Sequence, residues 1–181
     1  MSGSEQRTFV CLTLKLCSKG CAICSSARKI LGVLLAGSLA LASFSATAQE
    51  FTLMDMQGGE HRLSAYRGKW VVVNFWATWC PPCLSEMPDL VSLHNSHKDK
   101  DLVVIGVAMD STRASVTEFV EKLGITYPIV FGNYKIAEQI GNIQALPTTF
   151  LFDPTGKAVG RQEGAITRDG VEEFMRAKRK E

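Results

Sequence analysis

Two cysteines separated by two prolines, Cys80-Pro81-Pro82-Cys83, directly follow Trp79. Cysteines at i and i+3 on a first helical turn can close a small disulfide ring with little chain movement, which suits a pair that cycles between dithiol and disulfide. Pro81 and Pro82 suit such a turn, because the N–H groups they lack would have no intrahelical partner there. Cys80 then lies at the helix N-terminus, where free N–H groups and the helix dipole favour its thiolate and so its attack on a disulfide. Cys83, one turn in, is expected to be more buried and to resolve the mixed disulfide. Trp79 offers a flat apolar contact to a partner. Three other uses compete with this one. A structural disulfide closing so short a loop would constrain the unfolded chain little. A metal clip could draw on His94 and His97, but a helix would carry His94 about three turns from Cys83. Haem attachment needs histidine directly after the second cysteine, and residue 84 is Leu.

Glu86 stands three residues beyond Cys83, a spacing that can put both on one helix face. A carboxylate near a resolving thiol can take its proton, and burial would raise its pKa towards working pH. The alternative is an exposed carboxylate that only favours the helix dipole. His61, His94 and His97 are expected at the surface.

The elements that must position these residues follow from patterning. Trp70 to Trp76 is β-branched and aromatic on both faces, which predicts a central strand buried on both sides, and Leu102 to Met109 predicts a second. From Pro81 the positions Leu84, Met87, Val91 and His94 or Asn95 recur at helical spacing to about residue 96, with Pro88 expected to kink the helix. Phe51 to Leu63, with Gly58-Gly59 at its centre, reads as an N-terminal β-hairpin. Ser115 to Glu118 fits a capping box for a helix with the stripe Val116, Phe119, Val120 and Leu123, stopped by Gly124. A short strand over Ile129 to Phe131 and a short helix over Tyr134 to Ile140 come next. Thr148 to Phe152 and Ala158 to Glu163 flank the turn Asp153-Pro154-Thr155-Gly156. Thr167 can cap a last helix with the stripe Val171, Phe174 and Met175. Strands alternating with helices, then a terminal hairpin, imply an α/β mixed sheet covered by helices on both faces.

The chain of 181 residues is 46% hydrophobic and 21% charged, an ordinary globular composition. Its net charge of +2 is unevenly spread: residues 1–48 hold five Lys/Arg against one acid, and residues 49–181 hold 15 against 17. A mildly acidic body has no basic footprint for nucleic acid. Arg28-Lys29, the apolar run 30–42 and Ala46-Thr47-Ala48 together describe a secretory signal peptide cleaved after Ala48. This divides the chain into a leader, 1–48, and one domain, 49–181. The alternative is an uncleaved anchor over 30–48, although the run is shorter than the roughly 20 residues that span a bilayer. Cys11, Cys17, Cys21 and Cys24 lie in the leader and would be discarded with it, leaving Cys80 and Cys83 in the body.

The segment Val71 to Glu86, VVVNFWATWCPPCLSE, resembles the active-site strand and helix of the thioredoxin family. Trp79 to Cys83, Glu86-Met87-Pro88, the signal sequence and Leu146-Pro147-Thr148-Thr149-Phe150 together resemble the extracytoplasmic TlpA/ResA-like branch, over about residues 50–178. Residues 1–26 depart from that branch's usual short leader. The resemblance implies a thioredoxin fold: a central mixed β-sheet flanked by helices, with an N-terminal β-hairpin and a central helical insert near Tyr134 to Ile143. It also implies that Pro147 is a cis-proline facing the cysteines, with the backbone of Leu146 exposed to an extended substrate beside Cys80. It supports an active-site acid at Glu86. The candidate catalytic residues are thus Cys80, Cys83 and Glu86, the candidate substrate contacts Trp79, Pro81, Leu146 and Pro147, with no cofactor or metal beyond the redox-active cysteine pair.

The site alone permits reduction, oxidation or isomerisation. Pro-Pro between the cysteines, in place of Pro-His, removes a cation that would favour the thiolate, and so points to a reductant. A thioredoxin-like potential of roughly −270 mV lies about 150 mV, or about 7 kcal/mol, below that of the strong periplasmic oxidant. A periplasmic reductase therefore needs electrons from outside its compartment. The resemblance implies a membrane thiol-electron carrier as donor and a disulfide-bearing client of cytochrome c or cytochrome oxidase maturation as acceptor, with the protein acting as a monomer. A general oxidant or isomerase is the alternative within this chemistry, and a copper-handling module that ligates metal through Cys80 and Cys83 is the alternative outside it.

Overall fold

The computed structural model of the chain describes residues 49–109 and 112–180. The leader, with its four cysteines, apolar run and cleavage point, lies outside the described residues.

β1 (Thr52–Met54) and β2 (Glu60–Arg62) form the antiparallel hairpin, and a short 3₁₀ turn spans Leu63–Tyr66. Asp55 builds the hairpin turn by accepting from the backbone N–H groups of Gln57 (2.9 Å) and Gly59 (2.7 Å). Gly58 there has φ +83°, a conformation that a Cβ would strain. The remaining elements are β3 (Trp70–Trp76), α1 (Pro81–His97), β4 (Leu102–Ala108), α2 (Arg113–Lys122), β5 (Ile129–Phe131), α3 (Tyr134–Glu138), β6 (Thr148–Phe152), β7 (Ala158–Glu163) and α4 (Arg168–Lys178). The five-stranded sheet has the order β5-β4-β3-β6-β7, parallel from β3 to β5 and antiparallel at β6 and β7.

All seven residues of β3 are buried, as are all seven of β4. Alternation divides them between two cores. Val71, Val73 and Phe75 pack with Phe51 and Leu53 of the hairpin region and Ala137 of α3. Val72 and Trp76 pack with Met87 and Leu90 of α1, Val116 of α2 and Val171 and Met175 of α4. Helices therefore cover both faces, as the element order predicts. β3 is central because its sequence has no polar edge to offer water, apart from Asn74.

Several local expectations need correction. The buried positions of α1 are Cys83, Glu86, Met87, Leu90, Leu93 and His94, while Leu84 and Val91 are half-buried. Met87 and His94 of the expected stripe are thus buried, but the stripe is rotated away from Leu84 and Val91 towards Cys83, Glu86, Leu90 and Leu93. The helix runs through Pro88, which is exposed, so water can meet the carbonyl of Leu84 that loses its N–H partner. Thr112, not Ser115, caps α2, its hydroxyl accepting from Ser115 N at 3.1 Å. Ser115 supplies the capped N–H instead of the cap. His94 is 6% exposed and lies against the Tyr127 ring, with Val104 N donating to its Nδ1 at 3.4 Å. His61 and His97 are part-buried, each between partners. These histidines leave the surface because each ring has a specific polar partner that alternation cannot reveal.

Candidate active site

β3 ends at Trp76, and a short turn carries the chain through Trp79 to Cys80, the N-cap of α1. Cys80 has extended φ/ψ of −105° and 98°, and Pro81 opens the helix, as its missing N–H allows. Pro81 and Pro82 together remove the first two N–H groups of the helix, so Cys83 bears the first one. Cys80 and Cys83 are joined by a disulfide with their Cα atoms 5.3 Å apart. Cys83 is fully buried and Cys80 is 4% exposed, so the first cysteine is the more accessible of the two. Trp79, by contrast, is 62% exposed beside the pair, although a ring of that size usually buries most of its area.

Trp79 and Leu146 line one groove of about 280 Å³, together with Met109, Tyr134, Ile143 and Ala145. Tyr134, at the start of α3, is 70% exposed. The Leu146–Pro147 bond is cis, Leu146 is half-buried and Pro147 buried. Pro81 is exposed on the rim of the helix.

Glu86 is buried, 2% exposed, on the α1 face that meets the sheet. Its Oε1 accepts from Asn74 Nδ2 at 2.8 Å, and its Oε2 accepts from the backbone N–H of Ile166 at 2.8 Å. Burial pushes its pKa up, and the two N–H donors oppose that shift by favouring the carboxylate. Asn74 comes from the centre of β3 and also donates to Thr149 Oγ1 of β6 at 3.0 Å. Tyr127 reaches the same face. Gly106, opposite Asn74 on β4, leaves it room: a Cβ there would lie 3.0 Å from the Tyr127 ring. Burial, and then the charge of Glu86, hold the Tyr127 phenol protonated. The Tyr127 hydroxyl, Asn74 Oδ1 and Trp76 Nε1 are buried with no hydrogen-bond partner among the described residues.

The structure thus gathers Cys80, Cys83, Trp79 and Leu146 at one end of the sheet and sets Glu86 on the buried face of α1, three residues beyond Cys83. Sequence reasoning missed Asn74, Thr149, the Ile166 amide and Tyr134. The amide at position 74, within an otherwise apolar and aromatic strand, was the available signal for the first. The Ile166 contact spans 80 residues of sequence and left no local mark.

The AhpC/TSA family matches residues 45–160 of the chain. The thiol-disulfide oxidoreductase ResA of Geobacillus kaustophilus is 40% identical over 129 residues, which cover 71% of this chain and 74% of that protein. ResA of Bacillus subtilis is 30% identical over 153 residues, covering 84% and 85%. Among solved structures, a thioredoxin-family thiol:disulfide interchange protein from Chlorobium tepidum superposes with a TM-score of 0.66 at 27% identity, covering 72% of this chain and 93% of that one.

Proposed function

The chain belongs to the AhpC/TSA family and is a thioredoxin-fold thiol-disulfide oxidoreductase, and from that premise we propose that it is a periplasmic reductase of client-protein disulfides. Cys80 attacks a client disulfide, forming a mixed disulfide and releasing one client thiolate. Cys83 then attacks the Cys80 sulfur, which re-forms the Cys80–Cys83 disulfide and releases the second client thiolate. Two electrons pass from the cysteine pair to the client. Glu86 accepts the proton that Cys83 must lose, and solvent protonates the client thiolates. A membrane thiol-electron carrier restores the dithiol by the same exchange in reverse. Trp79, Pro81, Leu146 and Pro147 form the surface that meets the client, and the groove beside Trp79 takes a side chain flanking the client cysteine. The client class is that of cytochrome c or cytochrome oxidase maturation, and no cofactor takes part.

The observation that carries this reading is the Cys80–Cys83 disulfide at the mouth of α1, with the more accessible sulfur at the N-cap beside an exposed tryptophan. The absent donors support the reducing direction. With prolines at both first helical positions, few N–H groups can stabilise the Cys80 thiolate, so the reduced form is not unusually favoured. A thiol redox titration should give a potential near roughly −250 mV, on the thioredoxin side of the scale. A value near roughly −120 mV would make the protein an oxidant instead. Metal content of the reduced, purified protein separates the enzyme from a copper-handling module.

A further inference from the structure

Asn74 is a costly residue for the centre of a sheet. It is fully buried, and an amide there needs partners that Val or Leu would not. It spends both Nδ2 protons on side chains of two other elements, Glu86 Oε1 of α1 at 2.8 Å and Thr149 Oγ1 of β6 at 3.0 Å. Thr149 stands directly opposite Asn74 in the β3–β6 register and is itself fully buried. The second carboxylate oxygen takes the Ile166 amide at 2.8 Å. Glu86 is thus gripped at both oxygens, one donor fixed in the backbone and the other carried by a side chain that Thr149 holds in place. Both donors favour the ionised carboxyl against the burial around it.

We propose that Asn74, anchored by Thr149, is the positioning residue of the site, holding the Glu86 carboxyl in one orientation and competent as a base for Cys83. This rests on the reading of Glu86 as the group that takes the Cys83 proton. Tyr127, from the segment before β5, is a titratable group that interacts with this carboxyl, while Cys83, three residues earlier on the same helix, is held in the disulfide. Tyr127 is held protonated by burial and by Glu86 itself, so it does not titrate in the working range. Without the Asn74 donor the carboxyl keeps its burial and loses a hydrogen bond to its charged form, so it holds its proton to higher pH.

The test is a carbon-13 NMR titration of the Glu86 carboxyl in oxidised protein, with the pH profile of thiol exchange measured on the same variants. Asn74→Leu should raise the carboxyl midpoint and shift the rate profile upward by about one pH unit, the order expected for one lost hydrogen bond to a charged group. Thr149→Val should shift both in the same direction by less, and Thr149→Ser, which keeps the hydroxyl, should stay near wild type. The Thr149 pair keeps the test usable if Asn74→Leu does not fold. An unchanged carboxyl midpoint in folded Thr149→Val and Asn74→Leu would overturn the positioning role alone. A carboxyl midpoint that moves while the rate profile does not would retire Glu86 as the base for Cys83, and the positioning role with it.

Discussion

Cys80 puts a sulfur at the end of a helix whose first two N–H groups are missing, and Cys83 buries its partner one turn inside. This asymmetry assigns the order of attack. Cys83→Ser should accumulate mixed disulfides with clients, seen as higher-mass bands on non-reducing gels, and Cys80→Ser should not; the reverse pattern would exchange the two roles. Glu86 is a carboxyl whose pKa burial raises, so around and above its ordinary value the folded state binds a proton that the unfolded chain releases. Its contribution to stability is present below the unfolded pKa and is lost as pH rises through the folded one. Glu86→Gln removes that loss, so urea unfolding of the oxidised protein should show a smaller fall in stability from neutral to alkaline pH in the variant than in wild type. The same change removes a base, and exchange at neutral pH should slow by roughly a hundredfold, the lower end of what general acid–base catalysis contributes. Equal rates would leave Glu86 a purely structural group.

The helix α1 carries two further consequences. At its start, Pro82→His restores one N–H and adds a cation near Cys80, both of which favour the thiolate and so the reduced form. The potential should rise by roughly 30 mV or more, a shift that corresponds to about 1.4 kcal/mol; an unmoved potential would detach the direction of electron flow from the Pro-Pro pair. Near its end, burial lowers the His94 pKa to about 4 from an ordinary 6.5. The unfolded chain then takes up a proton between those values that the folded state refuses. Stability is held above about pH 6.5 and lost as pH falls towards 4, by on the order of 3 kcal/mol. Urea unfolding at neutral pH and near pH 4.5 should show this loss in wild type and a smaller one in His94→Gln. The end of α1 also meets α4. Arg168 donates to Ser92 (2.9 Å) and Glu172 (2.7 Å), His97 bridges Asp101 and Glu172, and Arg179 pairs with Asp101. These contacts seat α4, and the loop leading into it presents the Ile166 amide to Glu86.

For the molecule as a whole, the sheet has two edges, and each is managed. β5 is covered by the hairpin: Met56 N donates to Ile129 O at 2.8 Å, and Asp55 bridges to Val130. Among the described residues β7 has no outer partner strand, but it bears Arg161, Gln162 and Glu163, exposed charged and polar residues that discourage strand addition. We therefore expect a monomer, checked by light scattering of the purified protein. Among the described residues no helix is long and apolar enough to cross a membrane. The proposed export would remove residues 1–48, so N-terminal sequencing of the mature protein is expected to start at Gln49. A start that retains Arg28 and the run after it would make the protein anchored.

Some of this protein was decided by local sequence. The β-branched and aromatic run at 70–76 gave a strand buried on both faces because no residue but Asn74 could tolerate water. The Trp-Cys-Pro-Pro-Cys order gave a helix start with paired sulfurs, because proline at the first positions and cysteine at i+3 act within one turn. The order of strands and helices followed from such local signals, and the family from the motifs set among them. The tertiary structure alone decided the environment of the polar residues. Hydrophobic spacing put Leu84, Met87, Val91 and His94 on the stripe of α1, whereas the fold leaves Leu84 and Val91 half-buried and buries Glu86, because Asn74 and Ile166 meet it with matching donors. Asn74 and Glu86 lie 12 residues apart, Asn74 and Thr149 75, Glu86 and Ile166 80. A hydrogen bond acts over about 3 Å, so whether those groups meet depends on the packing of two strands, a helix and a loop, and nothing along the chain near any one of them encodes it.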